Sequence, residues 1–264
     1  MTVLAAQRQA RILEEVQRKG AVRVSDLTAL LGVSDMTVRR DLDVLARQSR
    51  VDKVHGGATI PRSPSTDEPG FEVKWLRNRR EKAAIAVAAA TLVMPGSAVG
   101  LSAGTTTWTL AHRLREVPGI TVVTNSVQVA GVLHAGGMAG QTVILTGGVR
   151  TPSDALVGPL AASGLRQLHL DMVFLGVHGM DERGGYTTPN MLEAETDRAF
   201  IEAARRLVVV ADSSKWGELG ISTIAALEEA DVLVTDTGLP DHAAAVLRDK
   251  VDEVRLVESA EGVG

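Results

Sequence analysis

From about residue 79 onward the chain alternates short apolar runs with helical patterns, and this rhythm restricts the fold more than any other feature. The runs are Ala98–Leu101, Ile120–Val123, Thr142–Leu145, Met172–Val177, Leu207–Ala211, Val232–Val234 and Val254–Val257. Helical patterns of ten or more residues separate most of them, and another helix is expected over about 79–92. Alternation of this kind predicts an α/β domain with a mostly parallel sheet and helices on its faces. Aromatic residues make up only 3% of the chain, so the core must be built from Val, Leu, Ile and Ala.

The first sixty residues read differently. Gln7 to Lys19 places Ala10, Leu13 and Val16 at helical spacing, and Gly20 ends the pattern. Ser25 is a plausible N-cap for a short helix over 26–31, stopped by Gly32. Ser34 is a second N-cap, opening a helix from Asp35 to about Gln48 with Val38, Leu42 and Leu45 on one face. Arg50 to Ile60, with its Gly56-Gly57 pair, reads as a small β-hairpin, or wing. Two short helices joined by Leu31-Gly32-Val33-Ser34 make a helix-turn-helix, because Gly32 tolerates the positive φ such a turn needs. Residues 61 to about 70 are rich in Pro, Ser and acids and are expected to be a linker. The expected division is therefore 1–60, a linker over 61–74, and 75–264.

In a helix-turn-helix the second helix reads DNA, with its first turns against base edges in the major groove. Its solvent face offers Asp35, Met36, Thr37, Arg39 and Arg40, and Ser34 at the helix N-terminus can meet a phosphate. An arginine contacting guanine through two hydrogen bonds is worth roughly 1–3 kcal/mol of discrimination. The competing reading is a solvated face in which Arg39 and Arg40 pair with Asp35 and Asp43. Met36 is as suited to surface packing as to a base contact. Arg23 could take a phosphate, and Lys53 and His55 in the wing could reach the backbone or minor groove. The charge distribution agrees. Residues 1–60 carry ten basic and seven acidic side chains, whereas the whole chain has a net charge of −4.

In the second part, Ala98–Leu101 runs into Ser102-Ala103-Gly104-Thr105-Thr106-Thr107 and then a helix from about Trp108. A Gly- and Thr-rich turn between strand and helix offers free backbone N–H groups and hydroxyl donors to an anion. An ordinary connecting turn is the alternative. No GxxxxGK[ST] motif is present, so an ATPase is not expected. Thr124-Asn125-Ser126 ends another strand, and ligands of open α/β sheets bind beyond strand carboxyl ends. Gly147-Gly148, Gly176–Gly179, Thr187-Thr188, Glu193, Glu195 and Asp212–Lys215 are further candidates, with Lys215 a natural cation for a phosphate or carboxylate.

The absence of cysteine excludes disulfides, thiolate zinc sites and cysteine nucleophiles. The histidines show no metal-ligand spacing, so no metal and no cofactor are expected. No run approaches the ~18 apolar residues of a membrane span, and the N-terminus lacks a signal-like apolar core. A cytoplasmic protein without membrane contact is expected.

The segment VSDLTALLGVSDMTVRRDLDVLARQSRVDKVHGGA resembles the DeoR-type helix-turn-helix, and SAGTTT, TNS, VGP, GGYTTPN, AE and ADSSK continue the resemblance in the family's order. The resemblance covers nearly all of residues 5–236. It implies a regulator, commonly a repressor of sugar or nucleoside catabolism, whose C-terminal domain is similar to ribose-5-phosphate isomerase. Carried over, the family's pattern makes Gly104, Thr105, Thr106, Asn125, Ser126 and Lys215 ligand contacts, with Asp181 and Glu195 beside them and Ser102, Thr107, Gly148 and His178 lining the same pocket. Two positions depart from that pattern. The family commonly has Asp where Ser102 stands and Ala-Asp where Val177-His178 stands, which suits a more anionic effector or a different set of hydroxyls. His178 is equally readable as a buried, satisfied histidine. The expected partners are double-stranded operator DNA, a phosphorylated sugar or similar anionic metabolite, and further copies of the chain. The rival reading is a sugar-phosphate isomerase with Glu195 as base and the DNA-binding head as an accessory.

Overall fold

The computed structural model describes residues 5–19, 21–48, 50–54, 56–59, 65–68, 70–136 and 140–259. The chain divides into two compact units, Met1–Ser63 and Pro64–Gly264.

The first unit contains α1 (Ala5–Lys19), β1 (Ala21–Arg23), α2 (Val24–Leu31), α3 (Asp35–Arg47), β2 (Asp52–Val54) and β3 (Gly57–Thr59). Its three strands form one antiparallel sheet in the order β1-β3-β2. The helices close over Ile12, Leu13, Val16, Leu27, Val38, Leu42 and Leu45, all buried. Ala10, expected on that face, is exposed; Ile12 takes its place, four positions before Val16. Ser25 does not cap α2. The helix starts at Val24, directly off β1, with Arg23 at the cap position, and the Ser25 hydroxyl instead meets Asp26. Gly32 has φ +64° and its N–H reaches Thr28 O at 3.0 Å, closing α2. Ser34 does cap α3, accepting from Thr37 N at 3.3 Å. Gly57 is required by close approach, because a Cβ there would sit 2.1 Å from Val22 O on β1. That third strand, too short to show a period, was not expected. Asp41 is buried but satisfied: Arg8 and Gln9 of α1 both donate to it, tying α1 to α3. Gly20 and His55 lie outside the described residues.

The second unit contains α4 (Phe71–Trp75), α5 (Arg79–Ala90), β4 (Ala98–Leu101), α6 (Thr105–Leu114), β5 (Thr121–Thr124), α7 (Val127–Gly136), β6 (Thr142–Leu145), β7 (Val149–Arg150), β8 (Leu156–Val157), α8 (Pro159–Leu165), β9 (Met172–Leu175), β10 (Gly179–Asp181), β11 (Gly185–Thr188), α9 (Met191–Ala203), β12 (Leu207–Val210), β13 (Ser222–Ala225), β14 (Val232–Asp236), α10 (Asp241–Lys250) and β15 (Glu253–Val257). The seven expected runs become one seven-stranded sheet, β15-β14-β12-β9-β4-β5-β6, in which every pair is parallel.

The two-residue period of each strand sorts its side chains between two cores. Val99, Leu101, Met172, Phe174, Val208, Val210, Val232 and Val234 join α5, α6 and α7 on one face. Val173, Leu175, Leu207, Val209 and Leu233 join α8, α9 and α10 on the other. Two smaller sheets, β10-β11-β13 and β7-β8, were not expected. The strands of the first are short and rich in Gly, Thr and Ser, and those of the second are only two residues long.

The expected linker over 61–74 is in part folded onto the second unit; residues 61–64 and Pro69 lie outside the described residues. Ser65 O accepts from Ile221 N at 2.9 Å. Glu68 accepts from Ser153 Oγ at 2.8 Å and from Asn190 Nδ2 at 3.0 Å. Phe71 and Trp75, four apart on α4, pack edge-on against Trp108 at 5.9 and 4.5 Å between ring centres. Pro and Ser composition marks a chain without a core of its own. It does not exclude one that borrows a neighbour's.

Candidate DNA interface and ligand pocket

The DNA-facing candidates lie together on α3. Asp35, Met36, Arg39 and Arg40 are exposed and Thr37 half-exposed, opposite the buried Val38, Asp41 and Leu42. Met36 is 73% exposed, so most of its side chain is open to a partner. Ser34 and Thr37 share a hydroxyl contact of 2.9 Å at the helix start. Arg39 and Arg40 differ. Arg39 is ion-paired to Asp35 one turn earlier, which raises its pKa. Among the described residues Arg40 has no such partner, and it lines a shallow groove with Asp43, Ala46 and Arg47. Lys53 of the wing pairs with Asp43. Arg23 is exposed beside the start of α2. Arg47 was missed by sequence reasoning. It falls seven residues after Arg40, on the same face, and that spacing was available as a signal.

In the second unit the polar candidates gather where the sheet changes winding direction. After β4 the chain winds outward through β5 and β6; after β9 it winds the other way through β12, β14 and β15. The crevice between the carboxyl ends of β4 and β9 is therefore a topological switch point, the place where open α/β sheets bind ligands. Ser102 follows β4 and Gly176 follows β9. The buried Ser102 hydroxyl accepts from Gly176 N at 3.0 Å and Ser102 N donates to Phe174 O at 3.1 Å, so the two strand ends are locked together. Gly104 precedes α6, whose first turn is Thr105, Thr106 and Thr107, all buried. Thr107 Oγ1 donates to Gly104 O at 3.0 Å.

Asn125 and Ser126 frame this crevice from β5. Asn125 is wholly buried, and its side chain is already engaged: Oδ1 accepts from Ala103 N at 2.8 Å and Nδ2 donates to Leu156 O at 3.2 Å. It holds the Ser102–Gly104 loop in place, a brace where a direct contact was expected. Ser126 Oγ accepts from Val129 N at 3.2 Å and serves the start of α7. Gly148, at φ +125°, lets the ribbon between β7 and β8 close against Val157.

Lys215 ends a short 3-10 turn, Ser213–Lys215. Asp236 fixes that turn by accepting from Ser213 N and Ser213 Oγ, both at 2.7 Å. Asn78, itself at φ +49°, donates to Asp212 Oδ1 at 2.7 Å. His178 sits just beyond β9. Its Nδ1 is buried without a partner, and its pKa is pushed down to about 4, by burial first and then by the positive charges of Lys215 and Lys74. It is therefore a neutral imidazole at pH 7, and it is not the satisfied histidine of the alternative reading.

Asp181 Oδ1 accepts from Arg183 N and Gly184 N, both at 2.9 Å, and so builds the turn between β10 and β11. Glu195 is half-buried and Glu193 buried. On α9 two positions differ by about 200°, so the two carboxylates do not share a face. Glu193 is buried and accepts from Thr188 Oγ1 at 2.5 Å. Burial raises its pKa, while the charge of Lys74 lowers it. Sequence reasoning named both glutamates but could not phase the helix. It missed Lys74 and Glu68 because both lay in the presumed linker.

The chain matches two family models, one in each unit. Residues 8–64 match the DeoR-like helix-turn-helix domain, and residues 77–237 match the DeoR C-terminal sensor domain. It is 38% identical over 246 residues to the HTH-type transcriptional regulator YgbI of Escherichia coli K12, covering 93% of this chain and 95% of that one. It is 37% identical to the HTH-type transcriptional regulator GlpR of Haloferax volcanii (89% and 91% covered) and 34% identical to the transcriptional repressor AccR of Agrobacterium fabrum (88% and 89%). Among solved structures, a ribose 5-phosphate isomerase A from Methanocaldococcus jannaschii shows 17% identity and a TM-score of 0.39, over 53% of this chain and 55% of that one. The chain belongs to the DeoR family of transcriptional regulators, with a DNA-binding head and an α/β sensor domain. Among the described residues, no helix is long and apolar enough to cross a membrane.

Proposed function

We propose that this DeoR-family regulator is a repressor whose grip on operator DNA is released by an anionic metabolite, a phosphorylated sugar or close analogue, bound at the crevice between β4 and β9. The observation that carries this reading is the site itself. A helix N-terminus with three buried threonines opens at the topological switch point, and Lys215, half-buried and near enough to His178 after β9 for its charge to act there, has no hydrogen bond or ion pair among the described residues. A cation left unpaired in a half-buried crevice is costly unless something anionic joins it. In this reading Thr105, Thr106 and the α6 N–H groups take the anionic head, Lys215 neutralises it, and His178 presents a neutral imidazole to the remainder. Arg40, Arg39, Thr37 and Met36 read the DNA. The names of relatives such as AccR support repression.

The protein works in the cytoplasm and as a homo-oligomer, since paired heads on repeated half-sites multiply a modest single-head affinity. The isomerase alternative has less support. Its presumed base, Glu195, does not share the face of Glu193, and Glu193 is held by Thr188. Thermal-shift screening against sugar phosphates, unphosphorylated sugars, inorganic phosphate and nucleotides tests the proposal. A phosphorylated sugar should raise the melting temperature with concentration, as binding linkage requires. Stabilisation by unphosphorylated sugars alone would overturn the anion reading.

A further inference from the structure

Residues 65–76 fall between the two spans that match the family's domains. In this chain residues 65–68 and 70–76 are nonetheless built into the sensor unit. Ser65 and Glu68 hydrogen-bond to it, and α4 packs on α6. The packing is aromatic in a chain poor in aromatics. Of the seven aromatic side chains, Phe71, Trp75 and Trp108 meet here, with His112 edge-on to Trp108 at 4.5 Å and Arg79 over the Trp75 ring at 4.6 Å. Trp108 directly follows Thr107, and its N–H donates to Gly104 O at 3.0 Å. The aromatic contact therefore rests on the helix turn that faces the crevice.

Lys74 lies between Phe71 and Trp75. Among the described residues its ammonium has no hydrogen bond or ion pair, although the side chain is largely out of solvent and lies within the field of Lys215, Glu193, Glu68 and Asp67. Its backbone is fixed: Lys82, 3% exposed, donates its ammonium to Lys74 O at 2.6 Å and to Arg77 O at 2.7 Å. The α4 segment is thus clamped from below while its one cation is left uncommitted, beside a second uncommitted cation, Lys215. The charge of Lys215 opposes that of Lys74, and Glu193, Glu68 and Asp67 offset it only through space, so both ammonium groups keep their hydrogen-bond donors for an incoming anion.

We propose that α4, residues 71–75, completes the ligand pocket: Lys74 binds the anionic group of the effector together with Lys215, and the Phe71–Trp75–Trp108 contact couples pocket occupancy to the segment that leaves the DNA-binding unit. This inference rests on the anion-pocket reading above. It adds a ligand residue outside both family spans and a physical route for the signal.

The test is titration of the full chain, followed by calorimetry and by tryptophan fluorescence, in a Trp216→Phe background that leaves Trp75 and Trp108 as the emitting tryptophans. The probes are ribose 5-phosphate, fructose 1-phosphate and inorganic phosphate. The background protein should bind at least one probe with a change in tryptophan emission. Lys74→Met should weaken that binding by roughly tenfold or more, the scale of a lost charge-assisted hydrogen bond, and Lys74→Arg should recover most of it. Ligand-free DNA binding should be unchanged in both. If Lys74→Met binds as tightly as its parent while Lys215→Met does not, the pocket reading stands and this inference is wrong. If no probe binds the parent, the pocket reading itself fails and takes the inference with it.

Discussion

The Ser102 hydroxyl accepts the Gly176 N–H at 3.0 Å, so one side chain joins the two strand ends between which the sheet reverses its winding. Ser102→Ala should leave a buried N–H unsatisfied and cost about 1–2 kcal/mol, read as a lower denaturant midpoint at unchanged slope. Ser102→Asp tests the acid that the resemblance leads one to expect at this position. It keeps an acceptor for Gly176 but adds a negative charge to the crevice, so it should weaken binding of a phosphorylated probe while sparing much of the stability.

Asn125 acts on the same loop through two buried hydrogen bonds, to Ala103 N and Leu156 O. Asn125→Ala should destabilise the second unit by about 2–4 kcal/mol, since both backbone partners lose their side-chain bond. Asn125→Asp keeps the acceptor but sets a buried carboxyl against the Leu156 carbonyl, so its midpoint should also fall well below the parent's. Equal stability of all three proteins would show that Asn125 is not a brace.

On α3 the two arginines should behave differently. Arg39 is held by Asp35, whereas Arg40 has no partner among the described residues. Arg40→Ala should therefore cost about tenfold or more in operator affinity, by loss of either a base or a phosphate contact. Asp35→Asn frees Arg39 and should strengthen non-specific binding at low salt. Mobility-shift titrations at two salt concentrations separate these outcomes, because a lost phosphate contact reduces the salt slope by about 1.

Buried titrating groups set opposite pH trends. His178 has a pKa of about 4, below its ordinary 6.5, so between those values the unfolded chain binds more protons and stability falls as pH drops through that window. Glu193 and Asp197 have raised pKa values, burial being the main cause. They contribute the reverse: stability falls as pH rises from the ordinary carboxyl range through their folded values. His178→Gln should flatten the acid side of the profile, and Asp197→Asn should raise stability at neutral pH. Unfolding midpoints of the three proteins from pH 4 to 8 check both signs.

Much of this was legible in the sequence, because fully buried parallel strands read as apolar runs and both N-cap and turn glycine stood before α3. The seven-stranded sheet and Ser34 followed directly. What failed depended on phase or on borrowed partners. Choosing Glu193 over Glu195 required the rotation of α9, and Asp181 was drawn into a hairpin whose Gly- and Thr-rich strands carry no apolar signal. The α4 segment looked like linker because its apolar residues pack on Trp108, more than thirty positions away. Phe71 and Trp75, four apart in a chain with so few aromatics, were the signal that could have exposed it.

The most direct test of ligand-controlled DNA binding is a titration of effector against a preformed protein–DNA complex, with the duplex selected by the protein from a random pool and the effector taken from the thermal-shift screen. The wild-type complex should lose affinity by tenfold or more, equivalent to about 1.4 kcal/mol of coupling, while Lys215→Met should bind the duplex equally well and ignore the effector. Release of both proteins at the same concentration, or of neither, would contradict a pocket built on Lys215 as the switch.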